Sequence, residues 1–154
     1  MSAGRIHNFL SGRGRDGAGR LIADILAFDD AHIEGVHDFI QWCFPLPEAS
    51  RAVPGAPVLG ATEAGAIRVD EEAQAGLLAA VDRMRGFYGD TTGWLRPYDH
   101  NHLRISRIIA AIRDLVGNEE ARAFHAFVLA RNAEVGSPIN PESLRYWRAA
   151  LDGA

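Results

Sequence analysis

The 154-residue chain has no lysine; all sixteen of its basic side chains are arginine. Schiff-base and other lysine amine chemistry is therefore excluded. The uniform arginine, with abundant Ala and Gly, is the mark of a GC-rich genome. There is one cysteine, Cys43. An intrachain disulfide and a cysteine zinc cluster are both ruled out, and nothing calls for an oxidising compartment. Cys43 lies in an apolar run, where an inert buried thiol is expected. No apolar run approaches the roughly 20 residues that span a bilayer. Met1 to Gly19 carries Arg5, Arg13 and Arg15 but no sustained apolar stretch, so it does not read as a secretory signal. The expectation is a soluble, cytoplasmic protein. A net charge of -4 and a pI near 5.8 give no sign of a nucleic-acid partner.

What is present is an ordinary globular composition, 47% apolar and 23% charged, in a length that suits one domain. The pattern predicts an N-terminal arm over 1–18, with Ile6, Phe9 and Leu10 as its only anchors, then an all-α domain of about six helices over 19–152. Residues 19–28 place Leu21, Ile22, Ile25, Leu26 and Phe28 toward one side at helical spacing. Asp29 or Asp30 then caps a second helix with a wide apolar surface built on Ile33, Val36, Ile40, Cys43 and Phe44. Pro45 and Pro47 end it. Residues 45–68, rich in Pro, Gly and Ala, read as one long loop. A third helix starts at Val69 or Asp70 and carries Leu77, Val81, Met84 and Tyr88, with Gly89 as its stop. Asp99 caps a fourth over 100–116, Asn118 opens a fifth, and Asn140-Pro141 opens the last.

Four segments carry a resemblance. His37-Asp38-Phe39-Ile40-Gln41-Trp42-Cys43-Phe44-Pro45-Leu46, Arg85-Gly86-Phe87-Tyr88-Gly89, His100-Asn101-His102-Leu103-Arg104-Ile105-Ser106-Arg107-Ile108 and, less closely, Ser143-Leu144-Arg145-Tyr146-Trp147 are similar to the conserved region of the opioid growth factor receptor family. The likeness runs from about Gly19 to Leu151. Two positions depart from it: Cys43 stands where a larger aliphatic residue is expected, and His102 where Asn is expected. In animals the family includes a receptor for an endogenous opioid pentapeptide, associated with nuclear membranes and restrained growth, in chains with additional sequence. The resemblance implies the helical fold and brings no catalytic motif; function transfers poorly with fold.

The chemistry-bearing residues gather in two of these segments. Read as helical, Glu34, His37 and Gln41 share one face, and His100, Arg104 and Arg107 another. If the second and fourth helices meet there, His37, Gln41, Trp42, His100, Asn101, Arg104 and Arg107 form a polar site for a small anionic ligand or a peptide. The bland alternative is that these groups satisfy one another. A longer shot is a metal held by the pairs Glu34-x-x-His37 and Asp99-x-x-His102, with Asp24, Asp82 or Glu120 completing it; no cofactor is otherwise expected. The letters His100-Asn101-His102 do not sit in the strand-pair setting of the nuclease motif they spell. Ser106 has no base at local spacing, and Gly-x-Ser-x-Gly, phosphate-loop and dinucleotide signatures are missing. Three readings stand: a non-catalytic binding module, a small helical enzyme with or without metal, and an interaction scaffold. The scaffold would work by homo-oligomerising, or through Trp42, Trp94, Trp147 and the Pro-rich loop.

Overall fold

The computed structural model describes residues 4–153. Among them there are nine helices and no strand. The chain divides into two compact units, Met1–Arg83 and Met84–Ala154, and the division falls inside one long helix.

The first unit is made of short pieces. α1 (Arg5–Leu10) lies in the segment expected to be an arm, and its Ile6, Phe9 and Leu10 are all buried. The spacing of those three residues explains the helix, and contacts outside it hold it in place. Gly4 offers no capping side chain, so the Glu63 carboxylate accepts the His7 backbone N–H instead, at 2.9 Å. α2 (Ile22–Leu26) starts where Asp24 accepts the Leu21 N–H. α3 (Asp30–Gly35) is capped by Asp29, which accepts the His32 N–H. α4 (Ile40–Cys43) is a single turn.

The expected second helix is therefore two. Val36 is extended (φ -97°, ψ 126°), and residues 36–39 are not helical. The apolar run does not require one continuous helix, because Ile33, Phe39, Ile40 and Phe44 are buried on either side of the break. The long loop is also shorter than expected. It ends at Gly60, where α5 (Ala61–Val69) begins; the helix buries little more than Ala64 and Ile67, too weak a period to stand out. The split, α1 and α5 together take six helices to nine.

α6 (Glu71–Asp90) opens on a residue with two jobs. Asp70 Oδ1 accepts the Glu72 N–H, capping the helix, while Oδ2 meets His7 Nε2 at 2.6 Å and Arg13 Nη2 at 3.0 Å. The His7 ring and Arg13 hold this carboxyl down at about 2. A few residues on, α1 ends against α6 with no side chain between them: a Cβ on Gly76 would lie 1.9 Å from the Leu10 carbonyl oxygen. Gly89, expected as the stop, lies inside α6.

The second unit holds the end of α6 and three long helices: α7 (Asn101–Leu115), α8 (Asn118–Glu134) and α9 (Pro141–Asp152), each packed on the other two. Ile105, Ile108, Ile109, Ile112 and Leu115 of α7, Phe124 and Val128 of α8 and Trp147 of α9 are buried, and along α7 and α8 they recur at helical spacing. Arg131 of α8 donates to the carbonyls of Tyr88 and Thr91, closing the end of α6. No helix among the described residues is long and apolar enough to cross a membrane.

Candidate functional site

The residues singled out by the sequence fall in both units. His37, Gln41 and Trp42 belong to the first; His100, Asn101, Arg104 and Arg107 belong to the second. Within the first unit Glu34, His37 and Gln41 do not share one helical face, because residues 36–39 between α3 and α4 are not helical. His37 and His100 are exposed, while Gln41, Trp42, Asn101 and Arg104 are buried.

In the second unit three of the four recognised segments meet in one hydrogen-bonded knot. The Tyr88 hydroxyl donates to Asn101 Oδ1 at 3.2 Å. The Asn101 backbone and side-chain N–H groups both donate to Asp99 Oδ1, at 2.9 and 2.8 Å. Burial alone would raise the Asp99 carboxyl, but these donors, with His100 and Arg96 beside it, hold it below its ordinary value. Asp99 thus closes the first turn of α7, as expected of a cap, although the helix itself starts at Asn101.

His102 ties the same turn to α9. Its Nε2 donates to the Trp94 carbonyl at 2.8 Å and its Nδ1 meets the Ser143 hydroxyl at 3.2 Å. Both ring nitrogens are thereby engaged within the protein. Ser143 also accepts from Asn140 Nδ2, and Asn140 caps α9 by accepting the Ser143 N–H at 2.8 Å. Trp147 Nε1 donates to the His102 carbonyl at 2.9 Å. Trp94 Nε1 donates to the Thr91 carbonyl at 3.1 Å. Asn101 and His102 are thus structural members of a knot whose polar groups answer one another.

The third tryptophan is different. Trp42, on the single turn of α4, is only 4% exposed, yet its indole N–H meets no acceptor among the described residues, whereas those of Trp94 and Trp147 are bonded. Buried indoles ordinarily find a partner for that group. Trp42 packs edge-on against Phe9 with ring centroids 5.6 Å apart, and the Arg5 guanidinium lies over its ring, 5.2 Å from the centroid. Arg5 is exposed and makes no ion pair with a described residue.

These two side chains line a cleft of about 170 Å³ that lies wholly in the first unit. The turn at Gly17 and Ala18 and the tip of the Pro-rich loop, Val53 to Pro57, also line it. The turn is held by Asp16. Its side chain is fully buried and accepts the Ala18 and Arg20 N–H groups and Arg20 Nε. A Cβ on Gly17 would come within 3.6 Å of the indole, so a small residue keeps this side open. Asp38 stands in the lining half exposed, its Oδ1 taken by Arg20 Nη2 at 2.8 Å. Arg20 bridges Asp16 and Asp38; burial works against its charge, but the two carboxylates outweigh that and raise its pKa.

Sequence reasoning named Trp42 but missed Arg5, which it placed in an arm. The signal was the apolar trio Ile6, Phe9 and Leu10, which fixes α1 and therefore aims Arg5. Cys43, next to Trp42, is sealed: burial pushes its thiol up to about 12, so it is no nucleophile at neutral pH.

Residues 22–149 match the opioid growth factor receptor (OGFr) conserved region. The chain has no significant match to a curated protein or to a solved structure.

Proposed function

We propose, from the premise that the chain belongs to the opioid growth factor receptor conserved-region family, that it is a non-catalytic binding module whose ligand enters the Trp42 cleft of the first unit. The observation that carries this is the open donor pair. Trp42 and Arg5 face a cleft with no acceptor for the indole N–H and no ion pair for the guanidinium among the described residues. In the second unit, by contrast, Tyr88, Asn101, His102 and Trp147 of the recognised segments are spent on holding helices together. A site of this size suits a small ligand: it falls below the roughly 300–1,000 Å³ of drug-sized pockets. His37 and His100 are the exposed members of the sequence-derived set and serve as controls.

A thermal-shift screen of small organic compounds against the intact chain tests the proposal. Compounds that raise the melting temperature should lose their effect in Trp42→Leu and keep it in His37→Ala and His100→Ala. Hits that persist in Trp42→Leu and vanish in the histidine variants would move the site elsewhere and overturn this reading.

A further inference from the structure

The chemistry of the cleft goes further than its existence. The Arg5 guanidinium lies over the Trp42 ring and makes no hydrogen bond or ion pair with a described residue. Its N–H donors are therefore available, in the fork geometry that matches a carboxylate. The Trp42 indole N–H adds a further donor, and it can only donate. An occupant must therefore bring acceptors, and one positive charge faces it.

The second constraint is the charge beside the cleft. Asp38 lies in the lining with a carboxylate that Arg20 only shares with Asp16. Taken together, Arg5, Arg20, Asp16 and Asp38 sum to zero. A dianion such as phosphate would meet Asp38 with its excess charge, whereas a monoanion replaces no more than Arg5 offers. The third constraint is the wall: Val53, Pro54, Pro57 and the indole present apolar surface beside the polar groups of the lining. The fourth is size. An enclosed apolar cavity of about 150 Å³ accepts a benzene-sized guest, and this cleft holds about 170 Å³.

We infer that the Trp42 cleft binds a small monocarboxylate with a ring-sized apolar body, its carboxylate on Arg5 and the Trp42 N–H and its body against Pro54 and Pro57. This rests on the binding-module reading above and assigns that site its ligand class. Arg5 is the selectivity residue and Trp42 both floor and donor.

The test is titration calorimetry on the intact chain at pH 7 with three probes of one shape: benzoate, benzamide and benzylammonium. Benzoate should bind at one site and benzamide about tenfold or more weakly, the loss of one charge-assisted pairing. Benzylammonium should not bind. Arg5→Gln should weaken benzoate about tenfold and leave benzamide unchanged. Trp42→Phe, which keeps an aromatic ring but removes the N–H and part of the ring system, should weaken benzoate by a smaller factor while the chain still unfolds in one cooperative transition at a lower melting temperature. If benzamide binds as well as benzoate and Arg5→Gln changes nothing, the cleft is a binding site but the carboxylate assignment is wrong. If benzylammonium is preferred, Asp38 rather than Arg5 sets the charge and the assignment is again wrong. If none of the three binds while other compounds act through Trp42, the ligand class falls and the module stands. If nothing acts through Trp42, both fall.

Discussion

The two units use polar side chains in opposite ways. In the second, Tyr88, Asn101, Asp99, His102, Ser143, Asn140 and Trp147 donate to and accept from one another, and three long helices are fastened by the result. In the first, short helices are held by contacts that reach across long stretches of sequence, such as Glu63 to His7 and Asp70 to His7, and a buried indole is left with its donor facing a cleft. A closed knot specifies a fold, because each member left unanswered would be costly. A donor and a guanidinium without partners among the described residues add nothing of that kind to the fold.

The contrast breaks most sharply where α1 meets α6. Gly76→Ala should cost about 3 kcal/mol, at the upper end for overpacking, because the new Cβ would meet the Leu10 backbone oxygen, which has no side-chain freedom to yield. Urea unfolding measures this, and a loss below about 1 kcal/mol would mean α1 is not seated as described. The tryptophans give a finer comparison. Trp147→Phe and Trp42→Phe remove similar volume from buried sites, but only the first removes a hydrogen bond. Trp147→Phe should be the more destabilising by about 1 kcal/mol. Equal losses would erase the distinction between knot and cleft.

A smaller effect of opposite sign is expected at Gln41. Its Oε1 is buried without a donor among the described residues. Gln41→Leu should be neutral or stabilising by up to about 1 kcal/mol in the same unfolding assay, since it removes a desolvated acceptor. The smallest difference is confined to acid. The Asp70 carboxyl sits near 2 in the folded chain, below its ordinary value, so its favourable contribution is present above about pH 4 and disappears as pH falls toward 2. The stability gap between the parent and Asp70→Asn should close as pH falls from about 4 toward 2. A gap that stays constant down to pH 2 would show that His7 and Arg13 do not hold the carboxylate.

Much of the second unit was legible beforehand, and the reasons are physical. α6 to α9 are long enough for the three-and-four spacing of apolar residues to accumulate. Asp99 and Asn140-Pro141 mark starts that the structure keeps. The first unit, apart from its share of α6, resisted because α1 to α5 span four to nine residues. Over so few positions a period is hard to tell from chance, and α1 and α5 lie in Gly- and Ala-rich sequence that reads as loop. The break at Val36 was hidden for a different reason: an apolar run buried on both sides of a bend looks the same as one buried along a helix. That misreading put His37 and Gln41 on a shared face that does not form, while Trp42, chosen for its place in the same run, lines the cleft. Arg5 was invisible as a site residue because only the seating of α1 brings it over the indole.

The sealed thiol of Cys43 makes the chain a convenient object for spectroscopy. With no other sulfhydryl in the molecule and this one out of reach of reagents in water, a cysteine introduced at any exposed position becomes the sole reactive handle. The parent residue need not be replaced. A dye or spin label placed on the Pro-rich loop, at exposed Ala52 for example, would report on the surroundings of the cleft rim.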